Sequence, residues 1–119
     1  MRSFLKKYIN KFRHAFSGLW DGICHDRSIL LQISIGMLVI CVCLCLSLSL
    51  VEWLAVLAMI LLVLSAEFIN SALEELCDSC YPQYDVRAKK IKDYSAAAVL
   101  LISVLAALVG IYVIGGKLL

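Results

Sequence analysis

Two kinds of hydrophobic pattern divide the chain. From Met1 to Cys24, apolar residues return in steps of three and four at Leu5, Tyr8, Ile9, Phe12, Phe16, Leu19, Trp20 and Ile23, the repeat of one face of an α-helix. Lys6, Lys7, Lys11 and Arg13 fall on the other face. A helix of this kind lies in the headgroup layer of an anionic leaflet with its apolar side down. Beyond it the periodicity gives way to unbroken apolar runs. Ser28 through Val51 holds no charged residue, which is long enough to cross a bilayer, and Glu52 with Trp53 marks its interface. A second run starts at Trp53 and reaches Leu76, with Glu67, Asn70 and Glu74 in its later half and Asp78 just beyond, until Pro82 ends it. Gln83 to Asp93 is a short polar connection, and Tyr94 to Gly116 is a third uncharged run. The pattern predicts a single all-α integral membrane domain over 1–119. Its parts are an amphipathic surface helix over 1–27, spans over 28–51, 53–78 and 93–116, and a cytoplasmic loop over 79–92.

Composition excludes the alternatives. The 119 residues are 63% hydrophobic with a mean hydropathy of +0.95, well above the roughly half apolar content of a water-soluble domain. Three spans of about 20 residues use nearly the whole chain, which leaves no room for a separate catalytic domain. Any chemistry must be carried by side chains on the spanning helices or beside them. The N-terminal stretch does not read as a cleavable signal peptide, because charges interrupt it throughout.

Charge sets the expected orientation. Six Lys and Arg lie between Arg2 and Arg27 and four between Arg87 and Lys92, while the turn at Glu52 has none. Cytoplasmic flanks hold the excess of positive charge, so the N-terminus and the second connection are expected inside and the C-terminus across the membrane. Nothing in the pattern points to nucleic acid. The six cysteines read as small apolar residues: Cys77 and Cys80 have the spacing of half a zinc or redox site, but no second pair completes it.

The second span carries the candidate chemistry. At about 100° per residue, Asn70, Ser71, Glu74 and Asp78 fall within about 60° of Glu67 and form one polar stripe. Ionisable groups in a span cost about 2.5 to 3.5 kcal/mol each at its centre, and carboxylates set this close repel one another until a cation or lysines offset them. Oxygen ligands without a Cys or His shell suit Mg²⁺, which is commonly held by one or two carboxylates together with phosphates. Asp26, at the start of the first span, can add a ligand from another helix. Lys89 and Lys92 share the membrane depth of the stripe and can meet phosphate oxygens. A buried network that glues helices, or the proton path of a small transporter, would also place carboxylates in a span. The stripe lies in the inner half of the span, where ATP and a lipid headgroup can both reach it. No G-x-x-x-x-G-K-[ST] or kinase glycine-rich loop occurs, so phosphates would have to be held by carboxylates, Mg²⁺ and lysines.

The run Glu67-Phe-Ile-Asn70-Ser71-Ala72-Leu73-Glu74-Glu75-Leu76-Cys77-Asp78 resembles the signature of the prokaryotic diacylglycerol kinase and undecaprenol kinase family. Lys92-Asp93, followed by Tyr94-Ser95-Ala96-Ala97-Ala98-Val99, resembles its second block. The likeness covers nearly the whole chain. It implies an ATP- and Mg²⁺-dependent lipid kinase of the bacterial inner membrane, working as a homotrimer with sites shared between subunits. Carried over by position, Glu67 would be the general base that meets the substrate hydroxyl, and Glu74 with Asp26 would hold the metal. The nucleotide contacts would fall on Lys7, His14, Asp26, Asn70, Glu74, Gln83, Tyr84, Asp85, Lys92 and Asp93. The chain departs from the family pattern at Asp26, where glutamate is usual, at Asp85, where histidine is common, and at Gln32, where undecaprenol-type members often carry histidine. Phe12 to Trp20 and Val51-Glu52-Trp53 resemble the Gram-positive undecaprenol kinases. Undecaprenol is therefore the expected substrate, with diacylglycerol second and a non-enzymatic membrane subunit or transporter as the alternative of another class.

Overall fold

Apolar runs that must bury their own backbone polar groups in lipid can only be helical, and the computed structural model, which describes residues 1–119, contains helices and no strand. They are α1 (Arg2–His25), α2 (Arg27–Leu44), α3 (Leu50–Cys80) and α4 (Val86–Leu118). The last three are long and apolar enough to cross a membrane. α3 and α4 pack along each other, α2 packs on α3, and α1 meets the start of α2. Gly36 on α2 allows the close approach to α3: a Cβ there would lie 3.0 Å from Ile60 Cγ2. Small residues at such crossings matter in lipid, where helices associate through packing rather than by leaving water.

The helix boundaries differ from the sequence expectation in two places. The first span ends at Leu44, not at 51, and residues 45–49 form the turn. Local hydrogen bonding decides this. The Ser49 hydroxyl accepts from Glu52 N at 3.2 Å, and Ser49 N donates to Glu52 Oε1 at 3.0 Å, a capping box that starts α3 at Leu50. The connection expected over 79–92 is also shorter, because α4 begins at Val86. Asp85 starts it, its Oδ1 accepting from Arg87 N at 2.7 Å and Ala88 N at 3.3 Å. The four basic residues of that stretch are therefore helical.

Two tertiary contacts define the two ends of the bundle. At one end Lys117 Nζ of α4 lies 3.1 Å from Glu52 Oε1 of α3, close to the small core of Cys43, Val56 and Val113 that joins the three spans. At the other end Lys92 of α4 pairs with Asp78 of α3, and the α1–α2 elbow at Asp26 meets the same stretch of α3. At 1.5 Å per residue, α3 is about 46 Å long against a hydrocarbon core of about 30 Å. Counted from Glu52, about 30 Å is used up near Ala72, so Glu67 and Asn70 lie just inside the hydrocarbon edge, and Glu74 and Asp78 lie at and beyond the opposite interface. The exposed aromatic and aliphatic residues of α1, among them Phe12, Phe16 and Trp20, complete the amphipathic surface helix expected from the sequence. Between α2 and α4 an apolar groove of about 640 Å³ remains open along α3.

Candidate active site

The five stripe residues on α3 face two neighbours at once. Glu67 and Asn70 are buried, Ser71 is half-buried, and Glu74 and Asp78 are exposed toward the end of the helix. Burial therefore falls away along the stripe from its lipid-facing depth to its polar end. Asn70 Nδ2 donates to Glu74 Oε1 at 3.2 Å, the i,i+4 pairing that one helical face allows. Its Oδ1 is buried with no donor, a costly state for an amide oxygen. Glu67 has no hydrogen-bond partner of its own and lies within the electrostatic reach of Asp26 and Glu74. Asp78, at the far end, pairs with Lys92.

Asp26 enters from the elbow between two helices. It caps the C-terminus of α1 and the N-terminus of α2 in an extended conformation, with φ −109° and ψ 115°. Its Oδ1 accepts from Ile29 N at 3.2 Å. The Ser71 hydroxyl of α3, then the backbone N–H groups of Ile29 and Ser28 and the Ser28 hydroxyl, hold the Asp26 carboxyl below its ordinary pKa against the effect of partial burial. The aspartate side chain thus lies near Ser71 of α3 while capping its own helix.

The remaining expected residues divide into two groups. Lys92 joins the stripe directly through Asp78. Asp93 pairs with Lys89, one turn earlier on α4, at 2.6 Å, and Asp85 has its carboxylate engaged as the cap of α4. Lys7 and His14 are exposed along α1, and Gln83 and Tyr84 are exposed in the short connection, and none of these four bonds to the stripe within one chain. No group of three or more His, Cys, Asp and Glu side chains converges tightly enough to hold a metal unaided. An ion held here would take one or two carboxylates and need phosphate oxygens to complete its shell. The buried, unpartnered Asn70 oxygen beside Glu74 adds an acceptor to the same oxygen-rich site.

Sequence reasoning did not find that Ser71 lies beside Asp26, nor that Gly22 of α1 packs closely against Phe68 of α3. Ser71 was visible as part of the stripe. Its partner was not, because an interhelical contact leaves no mark in the periodicity of either helix.

Three helices long and apolar enough to span a bilayer, with a carboxylate edge on the middle one, describe a membrane protein. The chain belongs to the prokaryotic diacylglycerol kinase family, whose sequence profile matches residues 13–114, and it is a membrane lipid kinase. It is also similar to the undecaprenol kinase of Bacillus subtilis (strain 168), with 26% identity over 117 residues that cover 98% of this chain and 95% of that protein.

Proposed function

We propose that the chain transfers the γ-phosphoryl group of ATP to the hydroxyl of undecaprenol, giving undecaprenyl phosphate. The observation that carries the reading is the polar edge of α3, where buried Glu67 stands free of any partner beside an unsatisfied Asn70 oxygen, with Asp26 and Glu74 near it and Lys92 bonded to Asp78 further along the same edge. Phosphoryl transfer requires positioning, charge neutralisation and a proton acceptor more than covalent help from the protein. Glu67 takes the proton of the lipid hydroxyl, the freed oxygen bonds to the γ-phosphorus, and the bond from that phosphorus to the ADP oxygen breaks. Asn70 orients Glu74 with one end of its amide and accepts from a bound group with the other. Glu74 and Asp26 would hold Mg²⁺, which would supply charge neutralisation at the phosphates. Lys92 exchanges Asp78 for a phosphate oxygen, while Lys7, His14, Gln83, Tyr84, Asp85 and Asp93 border the nucleotide.

The preference for undecaprenol rests on the similarity to the Bacillus subtilis enzyme, and diacylglycerol is the second candidate on the strength of the family. A homotrimer is part of the same reading. The groove between α2 and α4 is walled by small residues including Gly36, Ala106, Ala107 and Gly110, which suits close approach by a helix of another copy. Ala96 to Ala98 also face outward. Lys7 and His14, exposed within one chain, would then meet the stripe of a neighbour. The α1 elbow and the α3–α4 connection lie on the cytoplasmic side of a bacterial inner membrane, and the C-terminus outside, in keeping with their positive charge.

Assaying the purified protein with undecaprenol and diacylglycerol in one detergent, with ATP and Mg²⁺, tests the substrate. The expected result is a clear preference for undecaprenol. A strong preference for diacylglycerol would replace that substrate and leave the class of reaction standing.

A further inference from the structure

Gly22 is the only buried residue of α1, a helix whose other residues are exposed or half-buried. A Cβ at this position would lie 2.5 Å from Phe68 Cε1, 2.9 Å from Phe68 Cζ and 3.0 Å from Ile29 Cδ1. Real side chains do not approach this closely, so any residue larger than glycine forces the ring or the helix to move. Phe68 follows Glu67 in the chain. Ile29, almost fully buried at 1% exposure, is the residue whose N–H is capped by Asp26. The backbone of Gly22 is tied to the elbow as well, its carbonyl accepting from Asp26 N at 3.0 Å. One aromatic ring therefore touches the turn that fixes Asp26, from a residue adjoining Glu67.

We infer that Gly22 and Phe68 form a positioning seat that sets the Asp26 carboxylate against Ser71 and the Glu67–Glu74 edge, and so tune the site's affinity for the divalent cation. The inference rests on the kinase reading above and deepens it. Neither residue touches a reacting atom. Their effect passes through the elbow: the seat fixes where the last turn of α1 meets α3, and Asp26 is the next residue whose side chain crosses that boundary. Groups that orient a metal-binding side chain typically change metal affinity by about 10- to 100-fold when altered.

The test compares wild type, Gly22→Ala and the Gly22→Ala/Phe68→Leu double variant as full-length protein in the same lipid micelles. Two quantities are read: the Mg²⁺ concentration for half-maximal phosphoryl transfer, and Mn²⁺ affinity by electron paramagnetic resonance with a non-hydrolysable ATP analogue present. Gly22→Ala is expected to raise the Mg²⁺ requirement about tenfold and weaken Mn²⁺ binding in parallel. The double variant, in which a smaller side chain makes room for the new methyl, is expected to recover most of both. Unchanged metal dependence in Gly22→Ala overturns the inference. So does a loss of turnover with metal affinity unmoved, the mark of a purely structural defect, or a double variant that recovers neither. Should Gly22→Ala fail to assemble, Phe68→Ala removes the seat from the other side and must shift Mn²⁺ affinity in the same direction. A wild-type chain without metal-dependent transfer would instead overturn the kinase reading itself.

Discussion

Asn70 Nδ2 donates to Glu74 Oε1 at 3.2 Å while the Oδ1 of the same amide is buried without a partner. One side chain thus holds an exposed carboxylate in place and keeps an acceptor free in the interior of the site. A buried acceptor left without a donor costs about 1 to 3 kcal/mol, so helix packing alone is a poor reason to keep it. Asn70→Leu, close in size and without polar atoms, is expected to leave the folded protein at least as stable. Turnover should fall about 10- to 100-fold, in proportion to one lost polar interaction. Thermal unfolding in detergent and steady-state kinetics on the same sample check both halves, and a stable variant with full turnover would remove Asn70 from the site.

Asp26 gives a pH dependence with a definite sign. Its carboxyl is held below its ordinary pKa by Ser71 and by the capped N–H groups of α2. The stabilising contribution of its charged form is therefore complete above about pH 4, the unfolded value, and is lost as the pH falls through the lower folded value. Amide exchange at Ile29, whose N–H it caps, is expected to lose protection over that acidic window. In Asp26→Asn, which keeps a capping oxygen and cannot ionise there, the window should vanish. Protection at Ile29 that follows the same acid profile in both proteins would contradict the assignment.

Lys92 and Asp78 separate structure from chemistry. Their pair ties α4 to the end of α3, and the proposed reaction needs Lys92 for phosphate. Lys92→Ala is expected to raise KM for ATP by about tenfold, the size of one charged hydrogen bond. Exchanging the two as Asp78→Lys/Lys92→Asp is expected to restore helix pairing, read by thermal stability, without restoring KM. Recovery of KM in the exchanged pair would mean that the lysine serves only the fold.

The opposite end of the bundle is expected to be silent in catalysis. Ser49→Ala removes the hydroxyl cap of α3 and should cost about 1 kcal/mol of stability. Lys117→Ala breaks the pair with Glu52 and should cost little stability, because water screens the pair. Both should leave KM and kcat unchanged, as steady-state assays of the two variants will show. A changed kcat in either would place chemistry at the wrong interface.

Much of this architecture was legible in the sequence because the bilayer enforces simple rules. Long apolar runs, two of them without charge, gave the three spanning helices, the three-and-four repeat gave the amphipathic α1, and the angular placement of Glu67, Asn70, Ser71, Glu74 and Asp78 gave one edge of α3. The span limits were less legible. An uncharged stretch says nothing about where a helix stops, so residues 45–51 looked continuous with the first span although the Ser49 and Glu52 capping box marked the start of the next. Asp85 illustrates the same limit from the other side: a polar connection concealed an N-cap, and α4 starts at Val86. The contacts of Ser71 with Asp26, Lys92 with Asp78 and Gly22 with Phe68 join positions far apart in the chain. The periodicity of a single helix carries no information about its partner.

The central claim is that the acidic edge of α3 performs phosphoryl transfer, and Glu67 tests it most directly. Glu67→Gln keeps the size and hydrogen-bonding capacity of the side chain and removes its ability to accept a proton. Transfer of labelled γ-phosphate from ATP to undecaprenol should fall by at least about 100-fold, with assembly in the membrane unchanged. Transfer at the wild-type rate by a properly assembled Glu67→Gln protein would contradict the account.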